Sequence, residues 1–351
     1  MLYQTKNPHG GDVYGTQIAL DFSASLHPLG TPPSVVAAMQ AAAPLARQYP
    51  DPYCRTLTAA IAAYEAVPEA YILCGAGAAE LIYAYCDALR PSSAAMPAPT
   101  FLEYGAAAAH FGARLINLPL RAPDFTPDAS LLAAVAREKP GALFLCTPNN
   151  PTGRTLPRAL LKELLTQCQE QNTRVLLDEC FLDFTAQASA KDLLARFPNL
   201  LILKAFTKSY ALAGVRVGYC LTSDGALLAK MAAASQPWNV SVFAQAAGVA
   251  ALQEPDWPAR ARALLGPERA FLTDGLRALG FAVCPSEANY LLFSGPEGLD
   301  AALLRQKIAI RSCANYPGLG PGWYRIAVRL HEENEALLAA MRRVKEELPW
   351  R

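Results

Sequence analysis

The chain lacks an excess of charge of either sign: 31 Lys and Arg against 30 Asp and Glu leave a formal net charge of +1. With no basic stripe or acidic tail, there is no electrostatic footprint for nucleic acid or for an anionic membrane surface. No apolar run is long enough to span a bilayer, and the opening stretch MLYQTKNPHGGDVYG lacks the apolar segment of a secretion signal. Nine cysteines are present, but no Cys-x-x-Cys pair occurs and the total is odd. That pattern offers neither a disulfide framework nor metal-ligand spacing, so the thiols read as reduced, small core residues of a cytoplasmic protein with no metal site. No internal repeat is found.

What is present is a chain of 351 residues, 52% hydrophobic and 17% charged, enough for one large core and a smaller annex. Short apolar strands at Ala94–Met96, Arg114–Leu118, Ala142–Cys146, Arg174–Leu177 and Leu200–Leu203 alternate with helical segments at Leu102–Phe111, Ser130–Arg137 and Arg158–Gln169. Strands without polar alternation predict an α/β fold whose mostly parallel sheet is covered by helices on both faces. Ligand-binding groups then belong at the C-terminal ends of the strands. The break Tyr49-Pro50-Asp51-Pro52-Tyr53 divides an arm with part of a small domain (1–48) from a large domain (49–235), followed by a small C-terminal domain (236–351). Ser34, after Pro32-Pro33, reads as the N-cap of a helix reaching about Ala46.

The residues that carry chemistry cluster after those strands. Lys208 follows the apolar run Leu201-Ile202-Leu203. A lysine just past a buried strand is desolvated, which lowers its pKa and frees the amine to condense with an aldehyde. Arg216, within Gly214-Val215-Arg216-Val217-Gly218, can clamp a dianionic phosphate. The glycines of Gly75-Ala76-Gly77, between a strand and a helix, leave amides facing an anion at the helix N-terminus. Amine plus phosphate clamp is what pyridoxal 5'-phosphate requires. Asp178, ending the run Val175-Leu176-Leu177, is costly there unless paired, and a protonated pyridine nitrogen is such a partner. Taken singly, each has a plainer reading: a loop lysine, a packing turn, or an Asx turn at Asn150. Near the C-terminus Arg311, Arg325 and Arg329 surround a glycine loop. Arg325 and Arg329 read as one face of a strand, suited to a carboxylate and a phosphate.

Asn150-Pro151-Thr152-Gly153, Asp178-Glu179, Lys208 and Arg216, in this order and spacing, resemble the fold-type I pyridoxal-phosphate enzymes of the aspartate aminotransferase superfamily. That resemblance implies a mostly parallel central sheet with helices on both faces and a smaller α+β domain. It implies that Lys208 carries the cofactor, Asp178 pairs with its pyridine nitrogen, and Asn150 bonds its ring hydroxyl. Arg216, Gly77 and Ala78, with Thr207 beside them, would hold the phosphate, and Tyr104 would stack on the ring. Tyr49 matches a tyrosine that reaches the phosphate across a dimer interface, which implies a homodimer.

Within the superfamily the chain is similar to histidinol-phosphate aminotransferases and, along nearly its whole length, to the threonine-phosphate decarboxylases of cobalamin biosynthesis. The second resemblance rests on the arm His9-Gly10-Gly11, on Phe181 where aminotransferases usually carry tyrosine, and on the run Ile310–Leu319 with Trp323–Arg329. It implies a small phosphorylated amino acid as substrate, contacted by His9, Gly10, His27, Asn150, Arg311, Arg325 and Arg329. The arm Asn7–Gly11 and the arginines would set the carboxylate bond perpendicular to the cofactor ring. Three departures matter, the first being that Gly77-Ala78-Ala79 lacks the polar residues that often follow the glycine. Ala205 stands where a hydroxyl residue often binds the phosphate, and His27 stands where asparagine is usual near the substrate. His27 leaves serine phosphate as an alternative to threonine phosphate. Histidinol-phosphate transamination is another alternative, and a non-catalytic cofactor-binding regulator a remoter one.

Overall fold

The computed structural model describes residues 9–347, so Asn7 and Pro8 of the arm lie outside the described residues. A two-residue strand, β1 (Leu20–Asp21), precedes the large sheet. That sheet consists of β2 (Ile72–Gly75), β3 (Ser93–Ala98), β4 (Arg114–Pro119), β5 (Ala142–Cys146), β6 (Arg174–Asp178), β7 (Leu200–Ala205) and β8 (Gly218–Leu221). Their spatial order is β2-β8-β7-β6-β5-β3-β4. β8 runs antiparallel to β2 and β7, and the other neighbours are parallel.

The apolar runs form central strands because both sheet faces are covered. Side chains alternate between faces along a strand. Leu143 and Leu145 of β5, Val175 and Leu177 of β6, and Leu200 and Ile202 of β7 therefore enter one core. Phe144, Cys146, Leu176, Leu201 and Leu203 enter the core on the opposite face. Helices Ala78–Leu89, Leu102–His110 and Gly225–Ala234 pack against one another over that second face, and Ala129–Glu138 packs on Arg158–Glu170 over the first.

Two elements escape the sequence reading. β8 is four residues opening with glycine, too short to show a period, and the alanine-rich helix Gly225–Ala234 lacks a strong apolar stripe. The first helix also begins differently. It spans Pro33–Ala41 with Pro32 as the residue before it and no side-chain cap. Proline is preset for the first helical turn, and the Ser34 hydroxyl instead donates to Glu254 Oε1 at 2.5 Å.

A separate core surrounds β9 (Ala282–Val283), β10 (Tyr290–Ser294), β11 (Ile308–Ala309), β12 (Arg311–Ser312) and β13 (Trp323–Ala327). Four of them form an antiparallel sheet in the order β12-β13-β10-β9, while β11 pairs in parallel with β1. Helices Trp257–Ala278 and His331–Glu347 pack beside it. Phe22 of the opening arm and Phe181, just after β6, belong to this core. The two bodies therefore meet along the C-terminal edge of the large sheet. Among the described residues, no helix is long and apolar enough to cross a membrane.

Candidate active site

The C-terminal ends of four large-sheet strands converge on one cavity of about 230 Å³. Asp178 is the last residue of β6, Asn150 lies in the turn after β5, and Lys208 sits in a one-turn helix, Phe206–Ser209, directly after β7. Gly77 follows β2 and precedes the helix Ala78–Leu89. Strand ends place these groups together because parallel strands deliver their connections to one edge.

Lys208 is half-buried, with its Nζ 5.3 Å from the centre of the Phe181 ring. Burial lowers its pKa to about 8, helped by the positive fields of Arg325 and Arg216 and opposed by Cys180 and Asp178. The amine is therefore far easier to deprotonate than an ordinary lysine, as condensation with a carbonyl demands. The backbone beside it is anchored, since the His27 amide donates to the Lys208 carbonyl at 3.0 Å.

Asp178 is buried and makes no ion pair among the described residues. Its Oδ1 accepts from the Cys180 amide at 2.8 Å and its Oδ2 from the Tyr104 hydroxyl at 2.6 Å. Burial raises its pKa, and those bonds pull against the rise. A buried carboxylate that lines a cavity and makes no direct ion pair is a site for a cationic ligand atom.

Gly77 has φ +92, and a Cβ there would lie 2.6 Å from Arg216 Nη2. The positive φ favours glycine here, and the missing Cβ leaves room for the guanidinium beside the loop. Arg216 donates to the Ala213 carbonyl at 3.1 Å and keeps an exposed flank on the cavity beside Ala78, Ala79 and Thr207. The opposite wall carries two buried arginines. Arg325 donates to Asn150 Oδ1 and to the Ser23 carbonyl (2.9 Å), makes no ion pair among the described residues, and has a buried Nε without a partner. Arg311 donates to the Ser312 carbonyl and to Asn315 Oδ1 (2.9 Å).

The arm closes the rim. His9 bonds Glu103 at 2.6 Å, and the Gly11 amide donates to the Ser23 hydroxyl at 2.8 Å. A Cβ on Gly10 would lie 2.4 Å from the Ser23 carbonyl oxygen, so glycine is required for the arm to lie this close. His9 and Gly10 both line the cavity.

Most of the residues singled out from the sequence thus surround one space, but four sit differently. His27 does not line it. Its Nε2 bonds the Trp257 carbonyl at 2.9 Å, its Nδ1 accepts from the Leu29 amide, and its ring stacks on Trp257 at 5.0 Å. Burial in that stack lowers its pKa, which favours the neutral ring, and its contacts are packing contacts away from the cavity. Arg329 is also elsewhere: β13 ends at Ala327, so the alternation that would align it with Arg325 is broken. It pairs with Glu333 at 2.6 Å in an (i, i+4) arrangement. Tyr104, expected to stack on a cofactor, borders the cavity together with the half-buried Phe101, but its ring is wholly buried and lies face to face on Phe144. Tyr49 is 77% exposed and stacks on Trp238 at 4.5 Å, away from the cavity of its own chain. The wall residues Phe101, Ser23 and Tyr316 were not singled out as site residues, because nothing in their type distinguishes them from packing groups.

The donor set fits pyridoxal 5'-phosphate: an easily deprotonated amine, a buried carboxylate for a protonated ring nitrogen, and a glycine–arginine cradle for the phosphate. Comparison with known proteins agrees. Residues 17–341 match the family described as aminotransferase class I and II. The threonine-phosphate decarboxylase of Salmonella typhimurium is 38% identical over 93% of this chain and 91% of its own. Histidinol-phosphate aminotransferase 2 of Ralstonia nicotianae is 36% identical over 90% of this chain and 86% of its own. The histidinol-phosphate aminotransferase of Sinorhizobium meliloti, solved in complex with pyridoxal 5'-phosphate, superimposes with a TM-score of 0.84 at 26% identity, covering 94% of this chain and 92% of that one. On these matches the chain belongs to the class I and II aminotransferase family.

Proposed function

We propose that the protein is a pyridoxal-phosphate enzyme that decarboxylates L-threonine O-3-phosphate to (R)-1-aminopropan-2-ol O-2-phosphate, the linker of the cobalamin nucleotide loop. The observation that carries this reading is the pair of buried arginines, Arg311 and Arg325, on one wall of a cavity that also holds Lys208. A substrate with both a carboxylate and a phosphate matches two guanidinium groups, one for each anion. The threonine-phosphate decarboxylase at 38% identity supports the same choice.

Bound in this cavity, the cofactor supplies an electron sink that accepts the charge left at Cα when a bond to it breaks. The chain's own residues do the rest. Gly77, Ala78, Thr207 and Arg216 would hold the cofactor phosphate, Asp178 would keep the ring nitrogen protonated, and Asn150 would bond the ring hydroxyl. Arg311 and Arg325 would grip the substrate's anions and so select the Cα–COO⁻ bond for breaking, with the His9-Gly10 arm at the rim. When that bond breaks, carbon dioxide leaves and Cα needs a proton. The Lys208 ammonium, with a pKa near 8, can donate it at neutral pH.

The reading includes a homodimer in which Tyr49 reaches the neighbouring cavity, supported by the exposure of Tyr49, Tyr53 and Trp238. Nine buried free thiols support a reducing, cytoplasmic location. Histidinol-phosphate transamination remains the second reading, favoured by the relative at 36% identity. The test is to supply the loaded enzyme with threonine phosphate, then serine phosphate, and to follow carbon dioxide and the amine by mass. Carbon dioxide with aminopropanol phosphate is the expected outcome. No carbon dioxide, with conversion of histidinol phosphate that depends on 2-oxoglutarate, would overturn it.

A further inference from the structure

The Tyr104 ring is fully buried, lies face to face on Phe144 with centroids 5.5 Å apart and planes 16° from parallel, and meets Phe101 edge-on at 5.5 Å and 83°. Its hydroxyl, by contrast, reaches the centre of the site, donating to Asp178 Oδ2 at 2.6 Å. Phe101 is half-buried and lines the cavity.

We propose that Tyr104 is a positioning residue whose hydroxyl fixes the Asp178 carboxylate, in its ionised form, toward the cofactor's ring nitrogen. This inference rests on the cofactor reading above and deepens it.

The argument starts with the carboxylate. Each oxygen of Asp178 has one protein donor, the Cys180 amide on Oδ1 and the Tyr104 hydroxyl on Oδ2. Two donors on different oxygens fix the carboxylate plane and leave each oxygen a further acceptor site. Burial favours the protonated, neutral carboxyl, which could not hold a cation, and donors to the charged form oppose that. The groups facing Asp178 are Tyr104, Cys146 at the end of β5, Cys180, Tyr290 of β10 and Lys208. Burial raises the titration of both thiols and both phenols, so they stay neutral. Lys208 is the cation among them, and it makes no direct pair with Asp178 among the described residues. The Tyr104 hydroxyl therefore remains a donor across the working pH range. It is one of two bonds that keep Asp178 charged.

A Tyr104→Phe change keeps the ring and removes only the hydroxyl, so it separates the positioning role from stacking. Wild type, Tyr104→Phe and Phe101→Leu, each stripped of cofactor, are titrated by fluorescence with pyridoxal 5'-phosphate and with its 1-deaza analogue, in which CH replaces the ring nitrogen. The wild type should prefer the natural cofactor, and lose that preference on an acid limb set by Asp178. In Tyr104→Phe the limb should move up by about one pH unit, and the preference on the acid side should shrink about tenfold. Phe101→Leu should weaken both ligands alike and leave the limb in place. A Tyr104→Phe protein with wild-type preference and limb overturns the proposal. A wild type without any preference sinks the cofactor reading instead, so the two failures are distinct. If the phenylalanine variant does not fold, difluorotyrosine at position 104, a more acidic and stronger donor, should move the limb down. A limb that does not move then also overturns the proposal.

Discussion

Arg311 and Arg325 are partners in register across the antiparallel strands β12 and β13, and both line the same cavity. Like charges placed opposite each other on one face of a sheet repel. Neutral acceptors, the Ser23 carbonyl and Asn150, orient the Arg325 guanidinium without cancelling its charge, and the Ser312 carbonyl and Asn315 help to orient Arg311. Such an arrangement is stabilised when anions bind. Replacing Arg325 by lysine keeps the charge and loses the planar fork, so kcat/KM for the phospho-amino acid should fall by roughly a hundredfold to a thousandfold. The bound cofactor's absorbance should stay unchanged. Arg329→Gln should leave kcat/KM within about twofold, because its partners, the half-buried Glu333 and the Asp21 carbonyl, lie outside the cavity, and a solvent-accessible pair of this kind contributes about 0–1 kcal/mol. Steady-state kinetics with spectra of all three proteins check this, and equal losses in both variants would contradict it.

Lys208 titrates differently in the folded and unfolded chain: about 8 against an ordinary 10.5. The unfolded state binds the extra proton between those values, so stability of the cofactor-free protein rises with pH across that window and is lowest below it. Lys208→Met removes the effect. The variant should be the more stable protein at neutral pH, and its advantage should vanish as pH climbs toward 10.5. Urea unfolding at several pH values measures this. A constant difference would mean that the amine is not desolvated.

For His27, the sequence alone suggested a hand in choosing between threonine and serine phosphate. Its stack on Trp257 and its bond to the Trp257 carbonyl put it in packing instead. His27→Ala leaves a buried backbone acceptor unpaired, a loss of about 1–3 kcal/mol. Thermal unfolding should register that loss, while the ratio of kcat/KM for the two phospho-amino acids stays at the wild-type value. A changed ratio would return His27 to the substrate.

Much of this site was legible because its chemistry is costly without a ligand. Asp178 at the end of an apolar strand and Lys208 just beyond another stand out in any sequence, and the structure sets both on one cavity. The uninterrupted apolar strands β5, β6 and β7 declared a sheet buried on both faces. What stayed hidden depended on where short elements stop. β13 ends at Ala327, two residues before Arg329, and no pattern marks that end. Tyr104 was visible as an aromatic near the site, but whether its ring or its hydroxyl does the work is decided by the neighbouring Phe144, which is 40 residues away in sequence and adjacent only in the fold.

Gly77 combines φ +92 with a missing Cβ facing Arg216. Alanine there would strain the backbone and push against the guanidinium together. The expected result for Gly77→Ala is cofactor affinity weakened by about tenfold or more, with the fold retained because the loop lies at the sheet edge. Equilibrium dialysis of the cofactor, beside circular dichroism, distinguishes the two effects. Unchanged affinity would show that this cradle does not hold the phosphate.

Glu65 anchors the floor beneath the site. It is buried and accepts from Lys204 at 2.8 Å, Lys191 at 2.9 Å and the Tyr219 hydroxyl at 2.6 Å. Burial alone would raise its pKa, but Lys204 and these bonds overrule it and hold the carboxyl at about 2. Lys204 lies on β7, in the turn of chain that leads to Lys208, so the network fixes the strand end that carries the reactive amine. Glu65→Gln removes the nearer carboxylate from the buried Lys204 and leaves it only Glu179 at 3.9 Å, which costs roughly 1–3 kcal/mol. Because the folded pKa is depressed, the stabilisation is complete above the ordinary 4.5 and is lost as pH falls toward 2. Denaturant unfolding should therefore show a wide gap between wild type and Glu65→Gln at neutral pH that narrows through that acid window. A gap of constant width would assign the loss to packing and remove the carboxylate's charge from the account.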